Sequence, residues 1–321
     1  MVTAPVLVGL DVGGTKILAV AVEQSAQGPV VVQQVKVPSG GTAEHLIGLL
    51  GDCVDQAAAG RPLQSIGMGL PAFIGLDGMV RRAPNLASIV GVDIASPLRA
   101  RFGVPLAIDN DANCVGWAAR VFDAPAASSL LAITLGTGIG GGVMLGPGLW
   151  RGFNGFAGEP GHMIVDAEGP LCACGQHGCW EMWASGNGLG RIARAAAAAG
   201  TAPELLGAAG GRADAIEGPM VTKAAAAGSS EAQAILDRYG WWVAVGLASL
   251  VNILDPETVV LGGGIVAEGE LVLAPIRRQL ATFELAGRSA TLDLRISSLG
   301  PTAGAIGAAL LGGEAARTGG S

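Results

Sequence analysis

Short apolar runs closed by glycine turns alternate along this chain with longer stretches of helical periodicity. Val6–Leu10 is an apolar run, followed by Asp11-Val12-Gly13-Gly14-Thr15-Lys16 and a second run, Ile17–Val22, which together predict a hairpin with a glycine turn. From Thr42 to Ala59, Leu46, Leu49, Leu50, Val54 and Ala57 share one face of a predicted helix. Strands are expected at Ser65–Pro71 and Pro105–Ile108, the second ending at Asp109-Asn110-Asp111 and leading into a helix over Ala112–Val121. The hairpin device recurs in Leu130–Leu135, the turn Gly136-Thr137-Gly138-Ile139-Gly140-Gly141-Gly142 and a returning strand, Val143–Leu145. Ser230 with Gln233 has the pattern of a helix-start capping box. Ala232, Ile235, Leu236, Tyr239, Val243, Leu247, Leu250, Val251 and Leu254 then keep helical spacing until Asp255-Pro256 stops it. Thr258–Leu261 reads as a buried strand entering Gly262-Gly263-Gly264, and an alanine-rich helix is expected from Ala303 to Leu311, with a frayed tail beyond Gly312.

Two units of strand, glycine turn and strand predict two related lobes, and 321 residues are long for a single core. The expected division gives residues 1–112 to a first lobe, completed by 300–321, and 113–299 to a larger second one. No proline-rich or charged linker separates them, so the boundary is expected to be a hinge. With 50% hydrophobic and 14% charged residues the chain fills a large core, a balance that does not favour disorder. A net charge of −7 without a basic stretch argues against nucleic-acid and anionic-membrane partners. The uncharged stretch from Ala124 to Trp150 is long enough to raise a spanning helix, but seven glycines and two prolines interrupt it. The N-terminal run has neither the basic region nor the long apolar core of a signal peptide, so a cytoplasmic location is expected.

Glycine turns let backbone N–H groups converge on a phosphate with no Cβ in the way. Gly13, Gly14 and Thr15 form one such candidate, Gly136, Thr137, Gly138 and Gly140 a second, and neither ends as a Walker loop does. Asp11 is placed to hold Mg²⁺ through water. Lys16 has two open readings, a phosphate contact or a surface pair. A carboxylate between a buried strand and a helix, as in Asp109-Asn110-Asp111-Ala112-Asn113, can accept the proton of an attacking hydroxyl, and of the two aspartates Asp111 is chosen as base. Helix capping is the competing reading of that segment. His162, Cys172, Cys174 and Cys179 stand as Gly-His-x9-Cys-x-Cys-Gly-x-x-Gly-Cys, a full tetrahedral shell for a structural Zn²⁺. His177 is a rival ligand expected to be exposed, His45 a surface residue, and Cys53 and Cys114 plain buried thiols.

Taken in order, Asp11-Val-Gly-Gly-Thr-Lys16, Asn110-Asp111-Ala-Asn113, Gly136-Thr-Gly-Ile-Gly140, Glu159-Pro-Gly-His162 and Cys172-x-Cys-Gly-x-x-Gly-Cys-Trp-Glu181 resemble the ROK family (repressors, open reading frames and kinases) from about residue 6 to 311. Gly178–Asn187 especially is similar to the family's bacterial ATP-dependent glucokinases. The resemblance implies an α/β, actin-like ATPase (ribonuclease H-like) fold with two lobes around a cleft, often as a homodimer or homotetramer. It implies transfer of phosphate from Mg²⁺–ATP to a hexose 6-hydroxyl, with Asp111 as base and lobes that close on the sugar. Asn85, Asn110, Glu159, His162 and Glu181 would hold sugar hydroxyls, and Gly262–Gly264 would pass beneath the adenosine. Glucose is the expected sugar; N-acetylmannosamine, N-acetylglucosamine, fructose or mannose, polyphosphate as donor, and a non-catalytic sugar-binding regulator are the alternatives. The family's repressors carry a helix-turn-helix domain ahead of the first phosphate turn, where this sequence has ten residues before Asp11. Two departures lie near the implied sugar contacts. Ser88-Ile89-Val90 stands where family glucokinases often carry tryptophan, and Pro160 replaces a branched apolar residue.

Overall fold

The computed structural model describes residues 4–283 and 291–318. In chain order the elements are β1 (Val6–Val12), β2 (Lys16–Ser25), β3 (Gly28–Pro38), α1 (Ala43–Ala58), β4 (Leu63–Leu70), β5 (Phe73–Ile74), β6 (Val80–Arg82), α2 (Ala95–Phe102), β7 (Leu106–Asn110) and α3 (Asp111–Phe122). There follow β8 (Ser129–Leu135), β9 (Ile139–Leu145), β10 (Gly148–Leu149), α4 (Glu181–Ala184), α5 (Gly186–Ala198), α6 (Pro203–Ala208) and α7 (Gly218–Ala226). The last are α8 (Ser230–Leu254), β11 (Thr258–Gly262), α9 (Glu270–Leu280), β12 (Asp293–Ile296) and α10 (Ala303–Thr318). One five-stranded sheet has the order β3-β2-β1-β4-β7, a second β10-β9-β8-β11-β12, and β5 and β6 form a small ribbon. No helix among the described residues is long and apolar enough to cross a membrane.

The chain falls into two compact units. Of the described residues, the first contains those up to Ala132, Gly142–Gly158 and those from Pro301 to Thr318; the second contains Ile133–Gly141 and those between Glu159 and Gly300. Helix α3 lies on the first unit's side of the division because it packs against α10, the closing helix of that unit.

In the first unit β1 runs antiparallel to β2 and parallel to β4, which is parallel to β7. The register aligns Gly9 with Gly67, and two residues on it aligns Asp11 with Gly69 and Gly69 with Asp109. Because side chains alternate along a strand, both rows face the same side of the sheet. The glycine row is where α10 lies flush: a Cβ on Gly9 would stand 1.9 Å from the Ala305 carbonyl oxygen, and one on Gly67 1.6 Å from that of Ala308. The same crossing brings the first turn of α10 onto Asp11, whose carboxyl carbon lies 3.1 Å from where a Cβ on Gly304 would be.

The helix expected over Thr42–Ala59 is α1, with Thr42 as N-cap and Ala59 as C-cap. Four expectations are corrected. Strand β3 is absent from the predicted elements although Val30, Val31, Val32, Val35 and Val37 give it a strong β-branched content; it lies half exposed at the sheet edge, and Gln33 and Gln34 interrupt its apolar run. The second glycine turn is only Gly136–Gly138, because Ile139–Leu145 is already strand. The capping hydroxyl of α8 belongs to Ser229, one residue before the expected Ser230. Helix α10 continues past Gly312 to Thr318, since Gly312 and Gly313 are still buried against Ile66 and Leu7; residues 319–321 lie outside the described part.

In the second unit α8 is the central helix, packed by α4, α5, α7 and α9. It ends at Asp255, in the left-handed region (φ 46°), just before Pro256. Trp180 is fully buried against it, its indole N–H donating to the Trp242 carbonyl at 2.8 Å, and Gly246 leaves the room: a Cβ there would meet the indole at 2.1 Å.

Candidate active site

The first unit presents the β1–β2 turn and the start of α3. The turn is tight, with the Gly13 N–H donating to the Lys16 carbonyl at 2.8 Å, and Gly14, Thr15 and Lys16 are exposed at its tip. Ser39 holds it from below, its hydroxyl donating to the Gly13 carbonyl at 2.6 Å. Asn85 lies against the turn, its Cβ 3.1 Å from where a Cβ on Gly14 would stand. A side chain there would press Asn85 back from the turn.

Asp109, Asn110 and Asp111 do different things. Asp109 is buried and fully engaged: Oδ1 accepts from the Asn110 N–H and the Asn113 Nδ2, each at 2.8 Å, and Oδ2 from Arg151 Nε at 2.7 Å. Asn110 is the N-cap of α3, its Oδ1 accepting from the Ala112 and Asn113 N–H groups at 2.8 and 3.2 Å, so the capping reading holds for this residue. Asp111, the first residue of α3, accepts only from the Ala112 N–H, at Oδ1 (2.8 Å); Oδ2 has no hydrogen bond among the described residues. Burial pushes its carboxyl above the usual carboxylate range, against the smaller lowering effect of that hydrogen bond. Of the two aspartates, Asp111 is the one with an oxygen left for a substrate.

Asp11 is pushed up to about 6, first by burial, then by the charge of Asp111, with Lys16 pulling the other way. A carboxyl whose pKa is higher in the folded chain favours folding below its unfolded value and loses that contribution as pH rises through the folded one. Ionised Asp11 thus costs the free protein on the order of 2 kcal/mol once pH exceeds its folded pKa. Asp11→Asn is expected to raise the melting temperature at pH 8 by a few degrees without nucleotide or Mg²⁺. The gain should disappear below about pH 4, where Asp11 is protonated in both states. Melting curves at the two pH values check this, and an equal or lower melting point at pH 8 counts against it.

The second unit carries the cysteine cluster and a cavity. The ligand atoms of His162, Cys172, Cys174 and Cys179 all lie within 4.8 Å of one another. His162 Nδ1 is 3.8 Å from Cys172 Sγ, and Cys174 Sγ is 3.5 Å from Cys179 Sγ. Neighbouring ligands of a tetrahedral zinc with ~2.3 Å Zn–S bonds stand about 3.8 Å apart, so donor set and spacing both fit that ion. The loop is drawn in by bridges between Ile164 and Cys179 and between Leu171 and His177. Gly178, at φ 68°, passes so close to Asp166 that a Cβ would sit 1.5 Å from its carbonyl oxygen. His177 points its Nδ1 to the Gly169 carbonyl at 2.9 Å, away from the ligand role, and is exposed as expected.

Glu181 opens α4 directly after the buried Trp180, with Oε1 3.0 Å from Cys172 Sγ. The Glu159–His162 segment is a single 3-10 turn with buried Pro160 at its first position, where a missing N–H costs no helical hydrogen bond. Gly161 packs on β9, a Cβ there lying 2.3 Å from the Ile139 carbonyl oxygen. Branched apolar side chains have no place at 161, while proline at 160 suits the turn.

A cavity of about 610 Å³ lies wholly within the second unit, lined among others by Gly136, Thr137, Gly186, Asn187, Arg194, Glu217, Thr222, Gly264 and Glu268. That is a common size for a small-molecule site. The N-terminus of α5 meets the glycine turn there, the Gly186 N–H donating to the Gly136 carbonyl at 2.7 Å. Of the residues assigned to phosphate and adenosine, Gly136, Thr137 and Gly264 line this cavity. Gly138 instead faces Glu181, with a Cβ position 2.7 Å from Oε2. Gly140 is in β9 with its N–H on Thr134 Oγ1 at 3.1 Å, Gly262 is buried at the end of β11, and Gly263 (φ 97°) is pressed on the Leu135 backbone. Sequence reasoning missed Arg151, Arg194 and Glu217; none belongs to a recurrent spacing, and only the tertiary neighbours mark them.

Sheet order, the crossing of α10 and the two glycine turns define an α/β protein of the actin-like ATPase (ribonuclease H-like) fold. The ROK family profile matches residues 7–314, and the chain belongs to the ROK family. Among its relatives, the glucokinase of Streptomyces coelicolor is 35% identical over 312 residues, 96% of this chain and 97% of that one. The crystal structure of a ROK family glucokinase from Streptomyces griseus in complex with glucose and AMPPNP superposes with a TM-score of 0.82 at 35% identity, covering 96% of this chain and 99% of that one. The xylose repressor of Bacillus subtilis is 28% identical over 94% of this chain, which spans 75% of the repressor.

Proposed function

We propose that this chain transfers the γ-phosphate of ATP to the 6-hydroxyl of a hexose, with glucose as the natural acceptor. The observation that carries the proposal is Asp111: a carboxylate at the head of α3 with one oxygen uncommitted, next to Asp11 and the first glycine turn. Asp111 takes the proton as the sugar oxygen forms its bond to phosphorus; the bond from phosphorus to the bridging oxygen breaks, and ADP leaves with that electron pair. Mg²⁺ neutralises phosphate charge when bound with ATP, and Asp11 is the carboxylate that would hold it through water. Gly136, Thr137 and Gly264 would receive the nucleotide. Asn85, Asn110, Glu159, His162 and Glu181 are assigned to sugar hydroxyls.

His162, Cys172, Cys174 and Cys179 would hold zinc with a full donor set, and the bound ion would fix the loop that carries the sugar contacts. Since His162 aims Nδ1 at the cysteines, Nε2 is the nitrogen left for a hydroxyl. The names and bound ligands of the glucokinase relatives support the choice of sugar. A cavity of about 610 Å³ suits a nucleotide donor.

The test is ADP release from ATP and Mg²⁺ across a panel of hexoses and N-acetylhexosamines. Turnover with glucose at least tenfold above every other sugar is expected. Turnover with a different sugar alone would replace the acceptor and leave the base assignment standing, and no turnover with any sugar would refute the kinase proposal.

A further inference from the structure

Asp109 is the most heavily bonded side chain beside the proposed base, and its cation comes from another part of the first unit. Arg151 Nε and Nη2 both reach Asp109 Oδ2 at 2.7 Å, while Oδ1 is taken by the Asn110 N–H and Asn113 Nδ2. The Asp109 side chain is 8% exposed and that of Arg151 39%, so the carboxylate is inside and the guanidinium closes over it. Arg151 follows β10, and the Ala157 N–H donates back to its carbonyl at 3.0 Å, which folds the intervening segment onto it. One carboxylate thus ties together the end of β7, the first turn of α3 and the segment after β10.

The local charges require such a cation. The sheet register puts Asp11 and Asp109 in one row, and the buried Cys114 thiol feels Asp109, Asp111 and Asp11 on one side of the balance and Arg151 on the other. Lys16, on the exposed turn, is the cation that acts on Asp11. A buried carboxylate that loses its partner is an uncompensated charge and moves or takes up a proton.

We propose that Arg151 is a positioning residue for phosphoryl transfer: by gripping Asp109 it fixes the first turn of α3, and with it the aim of Asp111. This rests on Asp111 being the base. A lysine has one point charge in place of the planar fork and restores the charge without the geometry. Misplacement of a reacting group by about 1 Å is enough for losses near a hundredfold.

Steady-state kinetics with ATP and the best hexose would compare Arg151→Met, Arg151→Lys, Asp109→Asn and the Asp109→Asn/Arg151→Met double variant, with Asp111→Asn as reference. Arg151→Met is expected to lower kcat between about tenfold and a hundredfold with sugar KM changed less than about threefold, and Arg151→Lys to recover part of it. The double variant should be no slower than the worse single one, because the two side chains act as one unit. It removes both charges, so it also keeps the test alive if Arg151→Met alone fails to fold. Wild-type kcat in folded Arg151→Met or in the double variant, a loss confined to KM, or additive losses would each overturn the positioning role while an inactive Asp111→Asn leaves the base in place. Full turnover by Asp111→Asn would overturn the base and the positioning role together.

Discussion

Asp111→Asn is expected to lower kcat by about two to four orders of magnitude, the range that loss of a general base produces, while the fold and sugar binding survive. The amide keeps the shape and the Oδ1 acceptor for the Ala112 N–H, so the start of α3 is preserved. Burial already raises this carboxyl above the ordinary range, and the neutral isostere removes a desolvated charge, so stability should not fall. The same upward shift places the acid limb of the wild-type kcat profile above the pH at which an exposed aspartate titrates. Single-turnover kinetics with binding of sugar measured separately would decide the matter. Turnover retained at wild-type level would remove Asp111 from the base role; lost binding with unchanged chemistry would move it to sugar recognition.

The second large effect concerns the metal loop. Purified protein is expected to carry about one zinc per chain, and removing it with a strong chelator, or substituting Cys179→Ser, should abolish hexose turnover. Cys179 is fully buried, so its replacement removes a ligand from the inside of the loop, while the main-chain bridge to Ile164 is independent of the thiol. The disturbance should stay local, because Trp180 is anchored on the Trp242 carbonyl and the Tyr239 hydroxyl donates to the Ala184 carbonyl at 2.8 Å, contacts that do not pass through the metal. His162 and Glu181 would lose their fixed geometry while α8 keeps its own. Elemental analysis, circular dichroism and sugar kinetics before and after chelation test this. A metal-free preparation with unchanged turnover and melting would show that the cluster needs no ion.

The local codes are legible from the residues alone. Thr42 and Ala59 bound α1, Asp255-Pro256 ends α8, and His162 with three cysteines is a ligand set whose chemistry hardly depends on the rest of the fold. The two glycine turns are legible as turns from glycine clusters set between apolar runs, although none of Gly13, Gly14, Gly136 and Gly138 takes a positive φ. Their extents are not. Gly140, Gly141 and Gly142 read as part of the second turn, since glycine inside a strand looks the same in a sequence as glycine in a loop, yet all three belong to β9.

What the tertiary structure decided is which of several plausible side chains are free to act. Asp109 and Asp111 stand in one short segment; Asn113 and the Asn110 N–H take one oxygen of the first, and the arrival of Arg151 from forty-two residues away takes the other. The row that joins Asp11, Gly69 and Asp109 exists through strand register, and the flush crossing of α10 depends on Gly9 and Gly67 meeting across two strands. Of the glycines assigned to nucleotide, Gly264 faces the cavity while Gly263 is spent on packing against Leu135, a division that spacing cannot express. The physical reason is range. Caps, turns and metal chelates are set by neighbours a few residues away, whereas burial, charge balance and cavity walls are sums over residues that only the folded chain brings together.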